Sequence, residues 1–195
     1  MGFEVTSLQC KCCGAPLAID FTECDHCGTP IIIRTFNSVQ NMPMQNISRC
    51  AMSYAKDVQS DPNNIDSNKA AAYCYLKLGM YDNAHKYFEK AVIDNFDDSE
   101  IYFYAAISLL NGNKAFLLQR PIINKIEEYL NAATMIESRG IYYYLWAYIK
   151  YDYYERKYLI TNPNYKAMLN SAYQFGISPA DISELFSILK VQNPF

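Results

Sequence analysis

The sequence has few of the residues and motifs on which enzymes most often rely. Only two histidines and seven glycines occur among its 195 residues. It contains no Gly-x-Ser-x-Gly, no His-Glu-x-x-His and no glycine-rich phosphate loop. His26 falls between two cysteines and His85 within a helical pattern, so neither belongs to a recognisable catalytic set. We therefore do not expect independent enzymatic activity.

Long apolar runs and an excess of positive charge are also missing. No apolar run approaches the roughly 18 residues of a membrane span, and residues 1–20 lack the features of a signal peptide. The 17 basic and 20 acidic residues give a net charge of −3, which does not favour phosphate binding. We expect a cytoplasmic protein with no membrane span, whose seven cysteines stay mostly reduced and serve metal binding rather than disulfides.

Cysteine is instead concentrated near the start of the chain, in two Cys-x-x-Cys-Gly turns. The turns contain Cys10, Cys13 and Gly14, and then Cys24, Cys27 and Gly28. Two residues between cysteines allow both sulfurs of one turn to reach the same ion at about 2.3 Å. Glycine after the second cysteine relieves the tight backbone of the turn. This pattern predicts one Zn²⁺ held by four cysteines, and four thiolates fill a tetrahedral shell, so the site should be structural rather than catalytic.

Two neighbouring side chains are further candidates for the same site. Cys12 could replace a ligand, but that choice would break the two-residue spacing, so Cys10 and Cys13 are assigned. His26 should point outward from a shell that is already full. A redox pair would need a thioredoxin-like βαβ setting, which the sequence lacks. A subunit that senses redox state, with Cys12 as its reactive thiol, remains a third functional hypothesis.

Three short β-compatible runs surround the two cysteine turns, at Val5–Gln9, Pro16–Asp20 and Ile31–Arg34. With the cysteines and glycines, this order resembles the zinc ribbon family. Many zinc ribbons bind nucleic acid, which makes an accessory factor for DNA or RNA the alternative function. Residues 1–40 carry a charge of −2, however, and Lys11 and Arg34 are their only basic residues, so nucleic acid is an unlikely partner of this face.

The rest of the chain has helical periodicity. A polar segment at 37–45 separates the ribbon, residues 1–36, from a helical domain at 46–195. Apolar spacing predicts a first helix over Asn46–Ser60, stopped by residues 61–64, in which Cys50 is a buried small hydrophobe.

Small and aromatic residues then recur in a pattern that resembles the tetratricopeptide repeat, a 34-residue pair of helices. The matching residues are Ala71, Ala72, Tyr75, Gly79, Tyr81, Ala84, Phe88 and Ala91. A second copy begins at Ser99, where Asp97 and Glu100 predict a capping box, and its register breaks at an insertion over 114–120. An unrelated helical bundle with similar small-residue contacts is the open alternative.

The resemblance to tetratricopeptide proteins implies a concave groove that binds an extended segment or a helix of a partner protein. In that family the first helix of each pair lines the groove. The residues placed there are Lys69, Tyr73, Lys77, Phe103 and Ile107.

Residues 141–158 hold eight of the 18 tyrosines and the single tryptophan, in one predicted helix that is either core or partner groove. A final helix should start at Ser178, followed by a first-turn Pro179 and Asp181. The sequence thus predicts a mainly α protein, with a small β zinc ribbon before a tetratricopeptide-like α-solenoid. We expect it to be a non-catalytic adaptor for protein–protein interaction.

Overall fold

The computed structural model describes residues 9–17, 22–93 and 95–195. The protein is mainly helical, and its chain divides into two compact units, Met1–Ala91 and Val92–Phe195. Unit 1 contains helices α1 (Asn37–Gln40), α2 (Met44–Ser60), α3 (Ile65–Lys77) and α4 (Tyr81–Ala91). Unit 2 contains α5 (Ser99–Leu110), α6 (Arg120–Ile136), α7 (Gly140–Ile149), α8 (Tyr165–Gln174) and α9 (Pro179–Leu189).

Extended structure is scarce in the described ranges. It is limited there to two isolated antiparallel bridges, Gln9 with Pro16 and Glu23 with Pro30. The strand predicted at Ile31–Arg34 does not form: after the Ile31 amide bonds to the Thr22 carbonyl at 3.0 Å, the chain turns into α1. The predicted strands at 5–9 and 16–20 lie largely outside the described residues. The three-stranded ribbon stays a prediction.

Helices α2, α3 and α4 pack in sequence within unit 1. Alanines at 70–72 and Ala84 are fully buried, and such small side chains allow neighbouring helices to approach closely. The centre of the unit is aromatic. The Tyr73 ring makes edge contacts with Phe36, at 6.1 Å between centroids, and with Phe88, at 5.6 Å. Phe36 precedes α1, so the segment that follows the cysteine turns contributes directly to the helical core.

The segment at 37–45, predicted to be a linker, is partly helical. It contains α1, whose Val39 is fully buried, and α2 starts at Met44, two residues before the predicted start. The end of α2 at Ser60 agrees with the stop signal at 61–64. Domain boundaries at 36 and 46 remain a prediction, because the division that the structure does contain follows Ala91.

Unit 2 is built from two helix pairs, α5 with α6 and α7 with α8, and α9 packs against α7 and α5. Helix α5 is capped by Asp98, whose side chain accepts from the Glu100 amide, rather than by the predicted Asp97. The cap lies immediately before the first helical residue, and that position belongs to Asp98. The start of α9 is confirmed, since Ser178 and Asp181 form a reciprocal capping box.

The tyrosine-rich segment is not one continuous α-helix. Helix α7 ends at Ile149, a π-helical turn follows over Lys150–Tyr154, and a 3-10 turn covers Glu155–Lys157. Five of its tyrosines are buried, at 142, 144, 148, 153 and 154. These rings therefore belong to the core of unit 2, which agrees with the first of the two predicted roles. An insertion of one extra residue in a helical turn rotates the side chains that follow, so period alone could not place them.

Candidate metal centre

The two cysteine turns have the same backbone conformation, repeated 14 residues apart. In the first, the Gly14 amide donates to the Cys10 carbonyl at 2.8 Å; in the second, the Gly28 amide donates to the Cys24 carbonyl at 2.7 Å. Both glycines adopt positive φ, at 77° and 64°, a region that side chains disfavour. Glycine is therefore favoured at these two positions because it adopts positive φ without strain. Each turn presents its two sulfurs on the same side.

The four predicted ligands come together. The sulfurs of Cys10, Cys13, Cys24 and Cys27 all lie within 4.8 Å of one another. Sulfur atoms of Cys10 and Cys27 are 3.6 Å apart, and those of Cys13 and Cys24 are 3.7 Å apart. A tetrahedron with metal–sulfur bonds of about 2.3 Å has edges of about 3.8 Å, whereas a disulfide is much shorter. These four cysteines can therefore hold a metal ion, and the Cys10–Cys27 and Cys13–Cys24 separations fit the edges of a tetrahedral thiolate shell.

The surroundings of the sulfurs favour the charged form of one thiol. Burial raises the pKa of Cys10, but backbone hydrogen bonds from Cys13 and Cys12 and the hydroxyl of Thr29 outweigh it and lower the pKa to about 6. At Cys13 a backbone bond from Ala15 lowers the pKa, while burial and the neighbouring thiols raise it, to about 12. Four thiols this close cannot all ionise without a cation between them, which is the charge pattern of a metal site.

Sequence reasoning missed Thr29, which is fully buried beside the sulfurs. Its hydroxyl lies 3.0 Å from the sulfur of Cys27 and 3.6 Å from that of Cys10. The equivalent position in the first turn is Ala15, so only one of the two turns carries this group. A hydroxyl that donates to a thiolate orients it and moderates its charge. The sequence feature that could have indicated this contact is a polar residue, Thr29, two positions after the last ligand, Cys27.

Three contacts attach the cysteine turns to α2. Lys11 forms an ion pair with Asp57 at 2.7 Å, and the side-chain Nδ2 of Asn46 donates to the Cys27 carbonyl at 3.2 Å. The third contact is a disulfide between Cys12 and Cys50, whose Cα atoms are 4.4 Å apart. Cys50 is buried, as the sequence predicts, but its sulfur is bonded to Cys12. Its partner is 38 residues away, a separation that helical periodicity cannot reveal.

His26 and the remaining free cysteine lie outside the cluster. His26 is exposed and is not among the grouped ligands, as expected. Cys74, on α3, is a buried free thiol whose pKa burial raises to about 12, so it is a core residue without ligand character.

The residues predicted to line a partner groove are divided between the two units. Lys69, Tyr73 and Lys77 belong to unit 1, while Phe103 and Ile107 belong to unit 2. Both lysines are half-buried, but the other three side chains are interior: Tyr73 and Ile107 are 0% exposed and Phe103 is 4% exposed. As folded, these three cannot offer their rings or methyl groups to a partner. Assignment of helix faces from spacing failed here because both faces of α3 and α5 are covered.

Comparison with known proteins gives one distant likeness. No protein-family model matches the chain, and no curated protein matches it. A solved structure described as "MamA MSR-1 C2" aligns with a TM-score of 0.48 and 14% sequence identity, over 72% of this chain and 82% of the other. At that similarity the alignment does not indicate a function for this chain. Among the described residues, no helix combines the length and apolarity of a membrane span.

Proposed function

We propose that the protein is a non-catalytic adaptor for protein–protein interaction, with one structural Zn²⁺ held by Cys10, Cys13, Cys24 and Cys27. The observation that carries this proposal is the attachment of a four-sulfur cluster to a helical unit. Four thiolates complete a tetrahedral shell and leave no position for a substrate. A metal in that environment supplies folding free energy to the surfaces around it rather than chemistry.

Paired helices supply the interaction surfaces in this proposal. Successive helix pairs bury their apolar faces against each other and leave polar faces for partners, as in tetratricopeptide-like proteins. Lys69 and Lys77 remain candidates for a partner surface on unit 1. Tyr73 supports that surface from within the core of unit 1, and Phe103 and Ile107 lie in the core of unit 2.

The alternative, a nucleic-acid accessory factor, finds less support around the cysteine turns. Lys11 is paired with Asp57 at 2.7 Å, which leaves Arg34 as the other basic residue of residues 1–40. A cluster of four thiolates around one zinc ion adds a formal charge of −2. Phosphate contacts require clustered cations, so DNA or RNA is disfavoured at this face.

Affinity purification from the native host, with mild cross-linking and mass spectrometry, tests the adaptor function. Wild-type protein should retain a defined protein partner, and a variant unable to bind zinc, Cys24→Ala, should lose the partners that dock on unit 1. A preparation that retains only nucleic acid, or that turns over a substrate without a partner, would contradict the proposal.

A further inference from the structure

Unit 2 contains a basic cleft that none of the predicted sites includes. Its lining comes from the α5–α6 connection, from the end of α7 with the π-helical and 3-10 turns after it, and from the residues after α9. It consists of two adjoining hollows, of about 690 and 220 Å³, that share Lys114, Arg156 and Gln192 as lining residues. The larger hollow is within the range of about 300–1,000 Å³ that ligand sites occupy. The segment at 114–120, which interrupts the repeat pattern, therefore builds one wall of a cleft.

The charge of the cleft is positive, although the protein as a whole carries −3. Its lining includes the cations Lys114, Arg156 and Lys190 and a single carboxylate, Asp152. That carboxylate is 4% exposed and is occupied by the fold. It accepts from the Phe116 amide at 2.8 Å and from the Arg156 guanidinium at 2.5 Å. Asp152 thus fixes both the α5–α6 connection and Arg156, and the cations outnumber the carboxylates in the lining.

Arg156 is held in place on two sides. Its guanidinium lies 4.7 Å from the centre of the Phe116 ring, and its side chain remains 41% exposed. An arginine that is oriented by a buried carboxylate and a ring loses little freedom on binding a second anion. This is a built anion-binding position rather than a mobile surface charge.

Apolar surface adjoins the cations. Leu117 lines the larger hollow and is 69% exposed, and Val191 lies in the same lining. Aromatic faces, in contrast, are already covered: Phe116 has Arg156 at 4.7 Å and Lys157 at 5.0 Å, and Tyr151 packs on Phe195. Single-stranded nucleic acids gain affinity by stacking bases on free rings, and both Phe116 and Tyr151 are already in contact with other side chains. Cations beside an exposed leucine instead suit a peptide with acidic and apolar side chains.

We propose that this cleft binds an acidic segment of a partner protein, with carboxylates on Lys114, Arg156 and Lys190 and an apolar side chain against Leu117. The inference rests on the proposed adaptor function and adds to it the docking surface and the chemistry of the partner. Association should be steered by charge and weakened by salt.

A peptide titration tests the cleft. The probe is a fluorescein-labelled dodecapeptide, Asp-Glu-Leu-Asp-Glu-Phe repeated twice, and its control has every acid replaced by the matching amide. Fluorescence anisotropy at low salt should give a Kd of about 100 µM or tighter for the acidic peptide, and binding should fall as salt is added. The amide peptide should bind at least about tenfold more weakly.

Charge-reversal variants locate the binding. The double variant Lys114→Glu, Lys190→Glu should lose about tenfold in affinity or more, because each change reverses a charge in the lining of the cleft. Lys125→Glu, Lys166→Glu is the matched control, with the same charge change elsewhere on unit 2, and should bind as the wild type does. Equal loss in both variants, equal affinity for the amide peptide, or no binding of the acidic peptide would overturn the proposal. Displacement of the peptide by a dT12 oligonucleotide that binds more tightly would overturn it in favour of nucleic acid.

Purification from the native host separates the two proposals. If the double variant keeps the partner that the wild type retains, the cleft is not the docking site and the adaptor function stands. If the wild type retains no protein partner, the adaptor function itself fails.

Discussion

The hydroxyl of Thr29 lies 3.0 Å from the sulfur of Cys27 and is buried beside the sulfur cluster. Replacement by valine keeps the shape and removes the hydrogen bond. Thr29→Val should weaken Zn²⁺ affinity about tenfold, as loss of an outer hydrogen bond to a metal ligand commonly does. Competition with a chromogenic chelator measures the affinity. Thr22→Val, at an exposed position, is the control and should leave it unchanged. Unaltered affinity in Thr29→Val would contradict a role in the metal site.

The ligand set can be tested with two adjacent cysteines. Cys13→Ala should reduce bound zinc from about one ion per chain toward zero, because three thiolates leave the tetrahedral shell open. Cys12→Ala removes the disulfide to Cys50 but no sulfur of the cluster, so zinc should remain stoichiometric. Atomic absorption on protein purified without added metal gives the counts. The reverse result would show that Cys12, and not Cys13, is the ligand.

Tyr73 should act as a core residue of unit 1. Its ring is fully buried between Phe36 and Phe88, so Tyr73→Ala should cost about 3–5 kcal/mol of stability through lost packing and a cavity. Tyr158→Ala removes the same atoms from a side chain that is 96% exposed, and should change stability by less than about 0.5 kcal/mol. Urea unfolding followed by circular dichroism compares them. Similar costs for both variants would argue against the burial of Tyr73.

Gly140 should tolerate no side chain. A Cβ built there would meet backbone rather than flexible side chains, with the Ala172 carbonyl oxygen at 2.6 Å and the Gly176 carbonyl closer still. Gly140→Ala should therefore destabilise unit 2 by about 2–3 kcal/mol, as overpacking does, despite the higher helix propensity of alanine. Thermal unfolding of Gly140→Ala and of the exposed Ser138→Ala checks this. A stabilised Gly140→Ala variant would be inconsistent with the close approach of α7 and α8.

The capping box of α9 should depend on pH. The pKa of Asp181 is lowered chiefly by the hydrogen bond from the Ser178 amide, with help from the Ser178 hydroxyl. A lowered folded-state pKa favours the native helix above the ordinary carboxyl pKa of about 4, and this contribution is lost as pH falls through the lowered value.

Asp181→Asn should consequently increase amide exchange at the start of α9 relative to the wild type near neutral pH. The ratio of the two exchange rates should approach one in acid, where both side chains are uncharged. A ratio independent of pH would show that the charge of Asp181 contributes nothing to the cap.

Local rules were enough to predict several features from sequence. The stop after Ser60, the cap at Ser178 and the positive-φ glycines of the cysteine turns all depend on residues within one or two turns of the chain. Long-range features escaped. The Cys12–Cys50 bond and the position of Thr29 between two sulfurs depend on how distant segments pack.

Helix faces were the main source of error. Spacing identified α3 and α5 as helices, but it could not tell that their neighbours would bury Tyr73, Phe103 and Ile107. The π-helical turn after α7 could not be predicted, because the aromatic run has no polar face from which a helical period could be read. The basic cleft was also not predictable, because residues 114–120, the turns after α7 and the segment after α9 are distant in the sequence.

Unit 1 contains both the four sulfurs and the Phe36–Tyr73–Phe88 core, so metal binding and folding of this unit are linked equilibria. With a metal ion on the sulfurs, the concentration of free metal becomes a variable in the folding equilibrium of the whole unit. Above the dissociation constant, each tenfold rise in free metal adds about 1.4 kcal/mol to the stability of the folded form. The abundance of intact α2–α4 surface would then follow the metal content of the protein's surroundings, with no change in any contact on that surface.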